Sequence, residues 1–216
     1  LGILKQGKTQ IKYIATSQFI NTYAYSLILF AIAGLYTDSD VGFYSVSLKV
    51  LGLPMIFITT NVSKVVFRQI SQLVNNREKC FSFFIKNVAG LFSISIIGFM
   101  MLYFLSPALC RIIFGSPYEV SGIFIQHLCP MYCIRFVTSS FSGLFTAYRK
   151  QHFEIIYNIM LFLSTVLAYY FAQLNQYDIH QFLSLINICT SLVYFSQLIT
   201  YIYTAFKFDN QIEHGL

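Results

Sequence analysis

The stretch "FFIKNVAGLFSISIIGFMMLYFLSPAL", residues 83–109, decides the fold. After Lys86 it carries no charge, and its apolar residues follow no period-2 alternation. A spanning helix needs roughly 17–25 mostly apolar residues, whereas a barrel strand would be about half as long and would alternate. The segment therefore reads as a membrane-crossing α-helix.

Five further segments read the same way, at residues 13–36, 41–67, 120–148, 155–174 and 179–206. Short connectors separate them: "TDSD" at 37–40, "SQLVNNREK" at 71–79, "FGSP" at 114–117, "RKQHFE" at 149–154 and "NQYD" at 175–178. Of the 216 residues, 56% are hydrophobic and only 10% charged, and the mean hydropathy is +0.65. Soluble domains carry about 25% charged residues, so the composition belongs to a membrane protein. The expected fold class is all-α: a polytopic membrane protein built as a six-transmembrane-helix bundle. Residues 1–12 form a basic flank, 13–206 the transmembrane lobe and 207–216 a tail. The chain starts at Leu1 without a signal-peptide pattern and reads as part of something longer.

Six spans place both ends on one side. That side collects Lys5, Lys8, Lys12, Lys64, Arg68, Arg77, Lys79, Lys86, Arg149, Lys150 and Lys207. The opposite side holds Arg111, with Asp38, Asp40, Glu119 and Asp178. The positive-inside rule makes the basic side cytoplasmic. The net charge of +6 follows from this bias and from contact with lipid headgroups, so it does not call for nucleic acid. Trp is absent, and Tyr36, Tyr44, Tyr118, Tyr148, Tyr177 and Tyr203 are expected at the interfaces.

Of the fourteen basic residues, twelve are placed above, and the remaining two, Lys49 and Arg135, fall inside spans. A charge at mid-membrane costs about 2.5–3.5 kcal/mol on insertion scales, so it faces a bundle interior or a watery cavity. Arg135, in "HLCPMYCIRFVTSS", stands roughly 20 Å from either end of its span at 1.5 Å per residue, beyond the reach of snorkelling. Thr138, Ser139, Ser142 and Thr146 follow at helical spacing, and Pro130 predicts a kink. Two roles are open to Arg135: an anion-facing group in water, or a structural arginine bonded to a backbone carbonyl or an Asn. Lys49 lies closer to its span's end and either faces the lumen or snorkels.

The spans so drawn hold no carboxylate, since Glu154 and Asp178 fall at helix ends. A basic interior without acids suits an anionic phosphate or pyrophosphate headgroup. The candidate binding residues are Arg135, Lys49, Thr138, Ser139, Ser142 and Thr60. No catalytic set, metal site or cofactor motif stands out. Cys129 and Cys133, one helical turn apart, lack further ligands and read as packing residues, and His127 reads as a packed polar residue. Asn21, Asn158 and Asn187 lie in three different spans and either bond across helices or touch sugar hydroxyls.

The block "DVGFYSVSLKVLGLPMIFITTNVSKVVFRQIS", residues 40–71, resembles one found in bacterial polysaccharide flippases. These belong to the multidrug/oligosaccharidyl-lipid/polysaccharide export superfamily. The resembling positions are Val41, Gly42, Tyr44, Ser45, Pro54, Lys64, Arg68 and Ser71. "IIFGSPYEVSG" at 112–122 and "GLFTAYRKQHFEIIYNI" at 143–159 resemble later elements of the same family. The resemblance implies a second lobe, helices seven to twelve of a two-lobe transporter in the bacterial inner membrane. It implies flipping of an undecaprenyl-pyrophosphate-linked oligosaccharide, with no covalent chemistry and hence no enzyme activity. The implied partners are that anionic lipid-linked oligosaccharide, membrane lipids, the protein's own N-terminal six-helix lobe and a polysaccharide polymerase. Rival readings are a drug or metabolite exporter of the same superfamily, a membrane glycosyl- or acyltransferase, and a structural subunit without a cavity.

Overall fold

The computed structural model describes residues 2–213, with side chains from residue 16 onward apart from Gln18. The described chain is all-α. Its helices are α1 (Gly2–Leu35), α2 (Asp38–Asn75), α3 (Phe81–Phe114), α4 (Glu119–Ser140), α5 (Leu144–Ala147), α6 (His152–Asn175) and α7 (Ile179–Glu213), with a 3₁₀ turn at Ser116–Tyr118. Among the described residues, five helical segments are long and apolar enough to cross a membrane: Asp38–Asn75, Phe81–Phe114, Ser116–Ala147, His152–Asn175 and Ile179–Glu213. The described apolar part of α1 is shorter, Phe19–Leu35. The basic side chains expected at Lys5, Lys8 and Lys12, and the last three residues of the tail, lie outside the described residues.

Helices dominate because a hydrocarbon environment offers backbone N–H and C=O groups no partner except each other. The same rule lets helices outrun their apolar stretches. α2 continues through Lys64 and Arg68 to Asn75, and α7 continues to Glu213, well past the ends expected at 67 and 206. Only residues 76–80 are left to connect α2 to α3. The "TDSD" connector is a capping box: the Thr37 side chain accepts from the Asp40 N–H, and the Asp40 carboxylate accepts from the Thr37 N–H. The start of α3 has no cap of its own. Asp209 of α7 supplies one, accepting the N–H groups of Cys80 (2.9 Å) and Phe81 (3.0 Å). Burial there pushes the Cys80 thiol up to about 11, against a weaker opposing effect of its hydrogen bond with Tyr148.

α4 is the most enclosed element. It packs on α2, α3 and α7, while α1 lies mainly on α6, and α6 on α7. Phe124, Ile125, Leu128 and Val137 of α4 are completely buried. The outer faces stay apolar: Phe104 is 71% exposed and Leu174 82%, surfaces that suit lipid and not water. Helix association in lipid draws on close backbone approach at small residues. Gly122 of α4 is such a point, since a Cβ there would sit 2.3 Å from the Cα of Pro107 in α3. Ser106 donates to the Gly122 carbonyl across the same contact, at 2.9 Å.

Two expectations change here. The fourth span is not one helix. It breaks after Ser140, where i→i+3 bonds from Phe141, Ser142 and Leu144 tighten the chain into 3₁₀-like turns. Gly143 marks the break, and a Cβ on it would come within 2.7 Å of the Phe67 ring. The stripe running from Arg135 therefore ends at Ser142, and Thr146 falls on a separate short turn. Tyr44 is also not interfacial. It is fully buried, at 1% exposure. By contrast, Tyr36 donates to the Tyr177 carbonyl at the lobe's end, at 3.0 Å.

The antiparallel helices sort the described charges by end. Lys64, Arg68, Arg77, Lys79, Lys86, Arg149, Lys150 and Lys207 gather at one end. Asp38, Asp40, Glu119, Asp178 and Arg111 gather at the other, where Arg111 lies 3.8 Å from Glu119.

Candidate functional site

α1 and α2 pack far less on each other than on the helices behind them. A cleft therefore opens between them. It holds a cavity of about 340 Å³ whose walls come from α1, α2, α4, α6 and α7. Arg135, Thr138, Ser139 and Ser142 line it, together with Thr60, Met55, Ile56, Thr59 and Ser63 of α2. The far wall is Glu154 and Asn158 of α6 with Tyr194, Gln197 and Tyr201 of α7, and Asn21 of α1 closes the side. Five of the six residues singled out from sequence thus meet in one space.

Lys49 is the exception. It is exposed and does not line the cavity. It sits seven residues before Ile56, on the same face of α2 but about 10 Å further along the helix.

Arg135 is half-buried near mid-height of the lobe. Its guanidinium carbon lies 3.9 Å from the centre of the Tyr25 ring and 5.1 Å from that of Tyr132, which also brings a hydroxyl alongside. The Tyr25 hydroxyl in turn hydrogen-bonds the Tyr194 hydroxyl, tying α1 to α7 beside the arginine. Among the described residues, the guanidinium forms no ion pair and no hydrogen bond to a backbone carbonyl or an Asn. Its brace is aromatic, so its donors are not consumed by the structural bonds considered from sequence. A desolvated cation–π contact is worth up to about 2 kcal/mol, part of what it costs to hold the charge at this depth.

The hydroxyls divide into two kinds. Thr59 donates to the Met55 carbonyl, and Thr138 to the Arg135 carbonyl, so both are spent on their own helices. Thr60, Ser63, Ser139 and Ser142 make no side-chain hydrogen bond among the described residues, and they line the cavity. The asparagines are structural. Asn21 donates to Asn158 (2.9 Å), and Asn158 donates to the Ser17 carbonyl (3.0 Å), which braces α1 on α6. Asn187 accepts the Met131 N–H at 2.8 Å. Met131 follows Pro130, which has no N–H to give to the helix ladder, and a side chain of α7 accepts from the donor beside it. His127 is packed as expected, with its Nδ1 3.0 Å from the Ser184 hydroxyl.

The expectation of an interior without acids does not hold for this cavity. Glu154, assigned to a connector by its position at the end of an apolar run, is half-buried in the first turn of α6 and lines the cavity. Among the described residues it forms no ion pair. Sequence does carry a signal for it: Glu154 and Asn158 are spaced i, i+4, which puts both on one face of α6.

A family model described as polysaccharide biosynthesis protein matches residues 10–122, more than half of the chain. The chain belongs to this polysaccharide biosynthesis protein family. No curated protein matches it, and no solved structure does. The family match covers α1, α2, α3 and the start of α4, so it includes the α1 and α2 walls of the cavity and stops before Arg135. Membership in the polysaccharide biosynthesis family, together with the apolar helices, makes this a multi-pass membrane protein with a role in polysaccharide synthesis or export.

Proposed function

We propose that the chain is the C-terminal lobe of an O-antigen-type flippase of the bacterial inner membrane. It would move an undecaprenyl-pyrophosphate-linked oligosaccharide between leaflets, with both ends of this segment cytoplasmic. The observation that carries the reading is Arg135: a mid-height cation without an acidic partner among the described residues, held by two tyrosine rings and open to a cavity lined by hydroxyls. An arginine so placed keeps a planar set of donors for a phosphate oxygen pair. The open cleft between α1 and α2 is the side on which an N-terminal six-helix lobe would close the cavity. Rocking of the two lobes would expose the site to each side in turn, with no covalent bond made or broken.

The test is flipping of a fluorescent lipid-linked oligosaccharide by the full-length protein in proteoliposomes. Losing a charge-assisted hydrogen bond costs about 1.5–3 kcal/mol, so Arg135→Ala should slow flipping roughly ten- to a hundredfold while the protein still elutes as a monodisperse species. Flipping at the wild-type rate would remove Arg135 from the mechanism.

Glu154 favours a second reading, a cation-coupled drug or metabolite exporter of the same superfamily. A carboxylate in the cavity can exchange a cation for a cationic substrate. Transport of cationic dyes that depends on an imposed ion gradient would favour it over the flippase.

A further inference from the structure

The cavity is polar along its length, and its two ends carry opposite charge. Arg135, Tyr25 and Tyr194 mark the mid-height end. Seven residues further along the chain, about 10 Å at helical rise, Ser142 opens the end toward the basic connectors. There Ser63, Glu154, Gln197 and Tyr201 complete the wall. Gln197 uses its amide nitrogen on the Tyr201 hydroxyl, which leaves its carbonyl oxygen without a partner among the described residues. The neighbouring Asn158 is occupied with Asn21 and Ser17, so it offers Glu154 no hydrogen bond. The Glu154 carboxylate therefore faces the cavity with its acceptors free.

A carboxylate, an amide oxygen and several loose hydroxyls suit a polyhydroxylated ligand. Each carboxylate oxygen accepts from a sugar hydroxyl, or both accept from an ammonium group, while a second carboxylate in the same place is repelled. With the pyrophosphate at Arg135, the sugars attached to it extend along this wall. We propose that Glu154 sets the charge of the sugar next to the pyrophosphate, admitting neutral, N-acylated or amino sugars and disfavouring uronic acids. This rests on the assignment of Arg135 to the pyrophosphate.

The experiment reconstitutes the full-length protein in liposomes at pH 8. It measures flipping of two undecaprenyl-pyrophosphate lipids, one with N-acetylglucosamine attached to the pyrophosphate and one with galacturonic acid. The readout is the ratio of the two rates. Like charges a few ångströms apart in a medium of intermediate dielectric repel enough to give a ratio of roughly tenfold or more in favour of the neutral lipid. Glu154→Gln should bring the ratio to within about twofold of one, and Glu154→Asp should retain the preference.

A wild-type ratio near one, or a ratio that Glu154→Gln leaves unchanged, would overturn the proposal. So would a Glu154→Gln protein that keeps the ratio but loses its response to an ion gradient, which would make Glu154 a coupling group. Failure of the pyrophosphate assignment shows itself separately. Arg135→Ala would then flip both lipids at wild-type rates, or the wild type would flip neither, and in the latter case the present proposal falls with it.

Discussion

Tyr25 should contribute to ligand binding without touching the ligand. Its ring covers one face of Arg135 at 3.9 Å, and its hydroxyl ties α1 to Tyr194 of α7. Tyr25→Leu removes both. A cation–π contact is worth about 0.5–1 kcal/mol when exposed and about 2 when desolvated, and a neutral hydrogen bond adds about 1. Only part of that sum reaches the ligand, because the lost contacts stabilise the free site as well. What the ligand then supplies is the ordering of one long side chain, about 0.5–1.5 kcal/mol. Binding of undecaprenyl pyrophosphate should therefore weaken about two- to tenfold in Tyr25→Leu. Tyr25→Phe keeps the ring and loses only the link to Tyr194, so it should stay within about twofold of wild type. Isothermal titration of the full-length protein in nanodiscs would measure both. Wild-type affinity in Tyr25→Leu would refute the idea that the ring prepares the guanidinium. Equal losses in the two variants would assign the effect to the α1–α7 link instead.

Two further predictions concern the frame around the site. Gly122→Ala places a methyl group 2.3 Å from the Pro107 backbone, which cannot swing aside as a side chain can. Overpacking of this kind costs about 1–3 kcal/mol or more, and a clear fall in detergent melting temperature should follow, with an unchanged midpoint counting against the contact. Asn187→Leu removes the side-chain acceptor of the Met131 N–H beside Pro130. The loss should be about 1–3 kcal/mol, and denaturation in mixed micelles that matches wild type would show that the bond contributes nothing.

The lobe was legible in the sequence because lipid simplifies the problem. Where water is absent, an apolar run of sufficient length has one economical conformation, so the helices follow from composition. Helix ends were less legible. Nothing in "SKVVFRQISQLVN" at residues 63–75 breaks a helix, and crossing the end of the apolar stretch gives the chain no reason to stop. The break at residues 141–143 had a local sign in Gly143, but the close approach of Phe67 from another helix, which leaves no room for a Cβ there, is something spacing within α4 cannot reveal. Tyr44 was misplaced for a similar reason: its position in the chain is near an end, while its surroundings in the bundle are interior.

The cavity residues were found where periodicity sufficed. Arg135, Thr138 and Ser139 share a face of α4, Ser142 follows just past its end, and Thr60 lies on the helix that packs beside it. Glu154 was missed because a charged residue at the end of an apolar run normally lies in the connector. Here the cleft between α1 and α2 carries open space down to the first turn of α6, so a residue at a helix end is also a residue of the cavity.

The two charges now constrain each other. A lone guanidinium at mid-height would bind any anion, including free phosphate or a phospholipid headgroup, and its aromatic brace adds little discrimination among them. A lone carboxylate near the basic end would attract cations from that side. Placed in one cavity without forming an ion pair among the described residues, they ask for a ligand that is anionic at one point and uncharged or cationic at another. A pyrophosphate carrying a neutral or amino sugar has that order of charge. Had Arg135 and Glu154 been adjacent, they would have neutralised each other and left a structural bridge. Their separation, with Thr138, Ser139 and Ser142 also lining the cavity, makes it a recognition surface, and Glu154 is what narrows that surface from anions in general to one kind of conjugate.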